Sequence, residues 1–230
     1  QIQQRLLPKA LPQLHGYEIA AAWQPADTVA GDYFDVLPLN DHALGLCIAD
    51  ASGHGMPAAL LMSNLQAGVR LLASPDLAPH ALCEKLNQLV CRNVTKGHFI
   101  TFFYGLLDET RNKLIYTSAG HNPAILLHAN GGTVELDKGG MPLGVRAGQQ
   151  YQQAEVDLPV GSRLVLYTDG LVECHDLKDN AFGEKGLLSV LSEHRELHAV
   201  DLQKSVMRAV AEFCRGAYLD DVTLLVVAVA

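Results

Sequence analysis

The chain has 230 residues, of which 49% are hydrophobic and 18% are charged, and its formal net charge is −8 at pH 7. This composition is too apolar for a disordered tail and supports a sizeable buried core in one main domain. The negative charge, with Lys and Arg scattered, disfavours a partner bound mainly through a nucleic-acid backbone.

The first residues differ in pattern from those that follow. The run Gln1-Ile-Gln-Gln-Arg-Leu-Leu7 resembles the end of a helix, and no methionine precedes it. We therefore expect residues 1–14 to be the end of a connector helix from an upstream sensor or receiver domain. Residues 15–230 would then form the main domain.

Three strand patterns come next in the chain. Tyr17 to Trp23 and Gly31 to Leu39 contain β-forming residues in extended patterns. Ala43 to Ala49 is a nearly continuous apolar run that ends at Asp50, as expected of a strand buried on both faces.

Two helical patterns follow a turn at Ser52-Gly-His-Gly55. Pro57 suits a first helical turn, and apolar residues then recur at helical spacing from Leu61 to Leu72. A second apolar stripe runs from Leu82 to Val94. The short connection between the stripes predicts an antiparallel helical pair.

The rest of the chain combines hairpin signals with two more helical patterns. The predicted strands are Phe99 to Leu107, Lys113 to Ser118, Ala124 to His128, Thr133 to Leu136, Tyr151 to Leu158, Arg163 to Thr168 and Val222 to Val229. The predicted helices are Lys185 to Glu193 and Ala199 to Phe213. Hairpins together with clustered helices indicate an α+β layered sandwich rather than alternating βαβ units.

The cysteines and the apolar runs bear on the compartment. The five cysteines form no Cys-x-x-Cys pair, so neither a disulfide framework nor a zinc ribbon is indicated. No stretch reaches the roughly 18 to 20 apolar residues of a membrane helix. We therefore expect a cytoplasmic domain that inserts into no membrane and binds no nucleic acid.

Four aspartates occupy positions that suit a metal site. Asp50 and Asp169 each end an apolar strand and lead into a glycine-containing turn, and Asp220 stands just before the last strand. Asp32 follows Gly31 near the start of another strand. An ionised Asp offers only acceptor oxygens, which suit hard cations such as Mg²⁺ or Mn²⁺. Each Asp-Gly pair alone is an ordinary turn signal, but the four together predict a metal site.

Seven short blocks, taken in order, resemble one protein family. They are Leu6-Leu-Pro8, Pro25-Ala26 through Gly31-Asp-Tyr-Phe-Asp35, Asp50-Ala-Ser-Gly-His-Gly55, Ser118-Ala-Gly-His-Asn-Pro123, Pro142-Leu-Gly144, Tyr167-Thr-Asp-Gly170 and Asp220-Asp-Val-Thr223. They are similar to the signature of the SpoIIE-like bacterial branch of the metal-dependent protein phosphatases (PPM, or protein phosphatase 2C, superfamily). The resemblance implies an αββα sandwich, with two central antiparallel sheets flanked by helices.

The resemblance also implies a site with two Mn²⁺ or Mg²⁺ ions. Asp50 would bridge both ions, and Ala51 would offer its backbone carbonyl. Asp169 and Asp220 would complete one ion, and Asp32 would contribute directly or through a water. Two cations about 3.5 to 4 Å apart can activate a water for in-line attack on phosphorus. Asp32 and Asp50 would thereby be catalytic, and no covalent nucleophile is needed.

Four further polar residues stand in these blocks. His54 could protonate the leaving oxygen of serine, or Gly53-His54-Gly55 could simply shape the turn into the helix. His121 is expected to be structural. Asp35 and Asp221 are expected to lie outside the ligand set, because adjacent strand residues point to opposite faces.

The sequence departs from the family pattern in two places. The usual Gly-Gly-Asp reads Ala30-Gly31-Asp32, a change that should not disturb the ligand. The arginine that binds phosphate in eukaryotic relatives has no counterpart between Gln24 and Gly31. The group that holds the substrate phosphate is therefore open.

The resemblance implies a protein serine/threonine phosphatase that acts as the output domain of a bacterial signalling protein. Its implied substrate is a phosphorylated anti-sigma-factor antagonist of the STAS type. Two alternatives stay open: a degenerate domain that binds a partner without catalysis, and a small-molecule phosphohydrolase that uses the same metals. We also expect an upstream domain to act through residues 1–7 on the helical pair, and leave a homodimer open.

Overall fold

Eleven strands and five α-helices form in residues 3–94 and 97–230, the part of the chain that the computed structural model describes. The strands are β1 (Tyr17–Gln24), β2 (Tyr33–Asn40), β3 (Ala43–Ala51), β4 (Ile100–Asp108), β5 (Lys113–Ala119), β6 (Ala124–Leu127), β7 (Thr133–Leu136), β8 (Gly139–Gly140), β9 (Ala154–Asp157), β10 (Arg163–Tyr167) and β11 (Val222–Val229). The helices are α1 (Met56–Leu72), α2 (Pro79–Asn93), α3 (Asp169–Val172), α4 (Gly183–Glu193) and α5 (Ala199–Phe213).

The strands form two sheets. One sheet has the order β1-β11-β10-β6-β7, and the other has the order β2-β3-β4-β5-β8, with β9 also paired to β5. Every ladder between these strands is antiparallel except the short one that joins β5 and β8. Strand β11 therefore lies between β1 and β10, as an inner strand of its sheet.

Strand β11 shows why the sheets stack. Its residues alternate between two cores: Leu225 and Val227 join the core shared with the second sheet, whereas Leu224 and Val226 pack with α4 and α5. Burial on both faces accounts for its almost wholly apolar sequence. Helices α1 and α2 cover the outer face of the second sheet. The predicted αββα sandwich is thus confirmed.

Apart from the two-residue strand β8, which was not predicted from the sequence, two elements differ from the sequence prediction. The residues Asp169-Gly170, predicted as a turn, open the short helix α3. The strand predicted at Tyr151 to Leu158 is confined to β9, because Tyr151 is buried and its backbone amide bonds to the side chain of Glu84 on α2. An interaction with a distant helix therefore replaces the strand pairing at this end.

The segment before β1 contains a 3₁₀ helix at Gln3–Arg5 and no α-helix in residues 3–14. Gln1 and Ile2 lie outside the described residues. Leu7 is buried, and Gln66 of α1 donates from Nε2 to the carbonyl of Leu6 at 3.2 Å. The segment thus packs on the domain, and its link to an upstream domain stays a prediction.

Two further features concern the cysteines and the helices. All five cysteines are free, and all but Cys91 are buried. Among the helices of the described ranges, none combines the length and apolarity that a bilayer crossing requires.

Candidate metal centre

The four predicted ligand aspartates lie at the ends of strands from both sheets. In the second sheet Tyr33 lies opposite Ala49, so Asp32 and Asp50 occupy the next rung. In the first sheet Thr168 and Thr223 are linked through their backbones at 3.1 Å; the predicted ligands Asp169 and Asp220 flank this link. Strand pairing therefore places Asp32 beside Asp50 in one sheet and brings the segments that carry Asp169 and Asp220 to the same end of the other.

Two glycines allow the backbone segments that carry these aspartates to approach closely. A Cβ atom on Gly31 would lie 2.9 Å from the carbonyl oxygen of Ala51 and 3.4 Å from Oδ1 of Asp50. A Cβ atom on Gly170 would lie 2.1 Å from the carbonyl oxygen of Asp221. A side chain at either position would push the ligand segments apart, so glycine is required at both.

The electrostatics show that the aspartates act on one another. Burial, followed by the charges of Asp169 and Asp220, raises the pKa of Asp50 to about 7. Burial and then the charge of Asp50 raise the pKa of Asp32 well above its usual range. For Asp169 the pKa is raised by burial, then by Asp220 and Glu173. Asp50 therefore interacts electrostatically with Asp32 in its own sheet and with Asp169 and Asp220 in the other.

The carboxylate oxygens fit hard divalent cations, although the side chains do not yet surround a single ion position. Within residues 3–94 and 97–230, no three His, Cys, Asp or Glu side chains stand close enough to form a ready-made cage for one ion. The carboxylates instead lie close enough for their charges to interact, and the charges that act most strongly on Asp50 all belong to acidic side chains. Carboxylate oxygens suit Mg²⁺ and Mn²⁺, and a bound cation would offset this repulsion.

Glu173 is a nearby acid that the sequence analysis missed. It lies at the C-terminal end of α3, four residues after Asp169, and its charge raises the pKa of both Asp50 and Asp169. A helical spacing of four places two side chains on one face, so recognising α3 would have revealed it. Glu173 is exposed, which places it at the rim of the acidic cluster.

The two histidines have different environments. His54 lies exposed in the turn between β3 and α1, and its predicted role as a proton donor stays a prediction. His121 is buried, with Nδ1 2.8 Å from Oγ1 of Thr101 and Nε2 3.1 Å from the carbonyl oxygen of Tyr167. The expected structural role of His121 agrees with these contacts.

Asp35 and Asp221 are held by other groups. Asp35 is buried and accepts hydrogen bonds from Tyr33 at 2.9 Å and from Nε of Arg70 at 2.8 Å. Asp221 accepts from two backbone amides that precede Asp32. Both carboxylates are thus engaged by other groups of the protein, and their expected place outside the ligand set stays a prediction.

Comparison with known proteins identifies the family. The sequence model described as Stage II sporulation protein E (SpoIIE) matches residues 40–230. The phosphoserine phosphatase RsbU of Bacillus subtilis is 31% identical over 227 residues, which cover 98% of this chain and 67% of RsbU. The phosphoserine phosphatase RsbP of the same organism is 23% identical over 83% of this chain and 46% of its own length. The chain thus spans about two thirds of RsbU and less than half of RsbP.

Solved structures show the same fold. The RsbU and RsbW domains of Rv1364c from Mycobacterium tuberculosis superpose with a TM-score of 0.78 at 28% identity, over 93% of this chain and 60% of that one. The SiaA-PP2C domain of Pseudomonas aeruginosa superposes with a TM-score of 0.83 at 22% identity, over 98% of this chain and 92% of that one. The chain therefore belongs to the SpoIIE family of PP2C-type phosphatases.

Proposed function

We propose that this chain is a metal-dependent protein serine/threonine phosphatase that hydrolyses phosphoserine or phosphothreonine on a protein. The observation that carries the proposal is the convergence of acids from both sheets on Asp50, whose pKa is raised to about 7 by burial and by Asp169 and Asp220. Such a buried cluster is costly unless cations balance it. The proposed ligands are Asp32, Asp50, Asp169 and Asp220, which lie at strand ends beside this cluster.

The residues have distinct roles in this proposal. Asp50 would contact both ions, because its charge acts on Asp32 in its own sheet and the charges of Asp169 and Asp220 in the other sheet act on it. Ala51 would add its carbonyl oxygen, which lies close to the backbone of Gly31, beside Asp32. When bound, a pair of divalent cations supplies an activated water and neutralises the phosphoryl oxygens.

Two structural neighbours support the choice of metal. The phosphatase PstP, with a TM-score of 0.69 at 16% identity, was solved in complex with 2 manganese ions. RsbX, with a TM-score of 0.70 at 17% identity, was solved in complex with magnesium. We extend the two-ion arrangement, with Mn²⁺ or Mg²⁺, to this chain.

The proposed substrate is a phosphorylated anti-sigma-factor antagonist of the STAS type. Its support is the kinship to RsbU, a phosphoserine phosphatase, over nearly the whole chain. The chain would then be the output domain of a bacterial signalling protein. The free cysteines fit a reducing compartment, and we place this activity in the cytoplasm.

The test is phosphate release from a phosphorylated antagonist by the purified chain, with Mn²⁺ and Mg²⁺ compared and Asp50→Asn as the inactive control. Release by the wild type alone is the expected result. Absence of release in the wild type, with intact cation binding, would contradict the proposed substrate. Phosphopeptide and nucleotide substrates run in parallel would identify a small-molecule phosphohydrolase, and absence of cation binding would identify a degenerate domain.

Regulation through the first residues is also part of the proposal. Gln3 pairs with the backbone of Ala30, donating to its carbonyl at 2.6 Å and accepting from its amide at 2.9 Å. Because Ala30 stands two residues before Asp32, movement of the first segment would reach the metal centre. The check is Mn²⁺ affinity in this chain and in the full-length protein under both signal states; equal affinity throughout would contradict it.

A further inference from the structure

Two threonine hydroxyls hold one oxygen of Asp32. Thr168 donates from Oγ1 to Oδ2 of Asp32 at 2.8 Å, and Thr223 donates from Oγ1 to the same oxygen. Both threonines are fully buried. The Thr168 hydroxyl has one proton to give, and its other possible acceptor, the carbonyl oxygen of Asp221, lies farther away at 3.5 Å. Its Oγ1 also accepts the amide proton of Thr223 at 2.9 Å, which fixes its orientation.

The backbone before Asp32 is held by a second carboxylate. Asp221 accepts from the amide of Gly31 at 2.7 Å and from the amide of Ala26 at 2.9 Å, with one oxygen for each. Asp221 is only 8% exposed. Bonds from backbone amides to a buried carboxylate are charge-assisted and strong, so this contact fixes the loop that ends at Asp32.

The two sets of bonds leave Asp32 with one free oxygen. Among the described residues, no hydrogen bond reaches Oδ1 of Asp32, whereas Oδ2 accepts two hydroxyls. The arrangement orients one oxygen toward the protein and makes the other available.

We propose that Thr168, Thr223 and Asp221 form a positioning frame that presents Oδ1 of Asp32 to the metal ions. This inference rests on the proposed function. None of the three is itself proposed as a metal ligand; they act through the place and rotamer of Asp32. Groups that orient metal ligands commonly affect metal affinity by about 10- to 100-fold when they are mutated.

The test is calorimetric titration of Mn²⁺ into the 230-residue chain, with a matched pair of variants at Thr223. Thr223→Val keeps the branched shape and removes the hydroxyl, whereas Thr223→Ser keeps the hydroxyl and removes the methyl group. We expect Thr223→Val to weaken binding of the Asp32-dependent ion by about 10- to 100-fold. Thr223→Ser should bind within about threefold of the wild type, since it can still donate to Oδ2.

A second pair tests Asp221. Asp221→Asn removes one of the two oxygens that accept backbone amide protons and should weaken Mn²⁺ binding. Asp35→Asn is the control, since it alters another buried carboxylate, which bonds to Arg70. Asp35→Asn should lower the unfolding midpoint and leave Mn²⁺ affinity unchanged. Circular dichroism shows whether each variant is folded. If Asp221→Asn is unfolded, the two Thr223 variants alone test whether the frame positions Asp32.

The outcomes separate this inference from the proposed function. A wild type that binds no Mn²⁺ would overturn both. Wild-type binding with equal affinity in Thr223→Val and Thr223→Ser would overturn the frame alone. Complete loss of one ion in Asp221→Asn, as severe as in Asp220→Asn, would show that Asp221 is itself a ligand and overturn its positioning role.

Discussion

His121 joins the two sheets beside the acidic cluster by holding the backbone of Tyr167. Its Nε2 lies 3.1 Å from that carbonyl oxygen, so this nitrogen carries the proton, and Nδ1 accepts from Thr101 at 2.8 Å. Tyr167 is the last residue of β10, and Thr101 lies opposite Asp50 in the other sheet. The neutral imidazole therefore links segments that carry two predicted ligands.

This burial predicts a pH effect on stability. Burial lowers the pKa of His121 to about 4, with the bond to Tyr167 opposing the shift. The unfolded chain gains this proton near pH 6.5 and the folded chain does not, so stability falls as the pH drops from about 6.5 to about 4. His121 should contribute a loss of about 2 kcal/mol between pH 7 and pH 5.

The measurement is urea unfolding in EDTA at both pH values, for the wild type and His121→Gln. The variant is expected to be less stable at pH 7 and to lose about 2 kcal/mol less on acidification than the wild type does. Equal losses in the two proteins would show that His121 does not remain neutral in the folded chain.

Asp50 should have opposite effects on stability without and with metal. Its pKa is raised to about 7, whereas the unfolded chain ionises this carboxyl at about pH 4, so the metal-free protein loses stability as the pH rises from about 4 to about 7. At pH 8 in EDTA, Asp50→Asn should be more stable than the wild type by about 1 to 4 kcal/mol. Excess Mn²⁺ should reverse this order, because it binds and stabilises only the wild type.

Urea midpoints of both proteins, with EDTA and then with Mn²⁺, check this reversal. Asp35→Asn provides the control for loss of a buried carboxylate away from the cluster. A wild type more stable than Asp50→Asn in EDTA would mean that favourable contacts of the Asp50 carboxylate outweigh its repulsion by the neighbouring acids.

The first segment offers a matched pair of glutamines. Gln3→Ala breaks both bonds to Ala30 and should weaken Mn²⁺ binding by up to about tenfold. Gln13→Ala breaks a similar pair of bonds to the backbone of Ile19, on β1, and should leave Mn²⁺ affinity unchanged. Titration of both variants checks this difference, and equal affinities would remove the proposed path from the first segment to Asp32.

Asn87 should be a stabilising residue of α2. It is fully buried, donates to the carbonyl of Arg146 at 2.9 Å and accepts from the amide of Gly144 at 2.9 Å. Asn87→Ala leaves both groups without this partner and should cost about 1 to 3 kcal/mol in urea unfolding. Asn93→Ala, which breaks an exposed bond to Asn64, should change stability by less than about 0.5 kcal/mol. A loss of similar size in both would contradict this assignment.

His54 can be tested as a proton donor with two leaving groups. A serine oxygen needs a proton as it leaves, whereas nitrophenolate leaves readily without one. His54→Gln should therefore lower turnover of a phosphoserine protein by about 100-fold and barely affect nitrophenyl phosphate. Equal effects on both substrates would leave His54 with only a role in shaping the turn.

The layered fold could be predicted because its strands and helices carry strong local patterns. Strand β11 is apolar at almost every position, and the stripe of α5 recurs at helical spacing, so each was found in the sequence with the bounds of the structure. The short helix α3 could not be found, because Asp169-Gly170 is also an ordinary turn signal. Glu173 was missed for the same reason.

The ligand aspartates could be predicted from strand ends and motifs, but the groups that hold them could not. Asp221 bonds to Gly31, 190 residues earlier in the chain, and Thr223 bonds to Asp32, 191 residues earlier. No local pattern encodes such pairs; they arise only when β11 enters its sheet beside β10. The family resemblance indicated Asp32 as a ligand, whereas the hydrogen bonds that orient its side chain are visible only in the folded chain.

The central claim is that Asp50 joins the acids of both sheets into a site for two divalent cations. Calorimetric titration of Mn²⁺ into the metal-free chain tests it most directly, with Asp50→Asn beside the wild type. We expect two ions to bind to the wild type and Asp50→Asn to lose binding of both. Absence of Mn²⁺ binding to the wild type, or undiminished binding to Asp50→Asn, would contradict the claim.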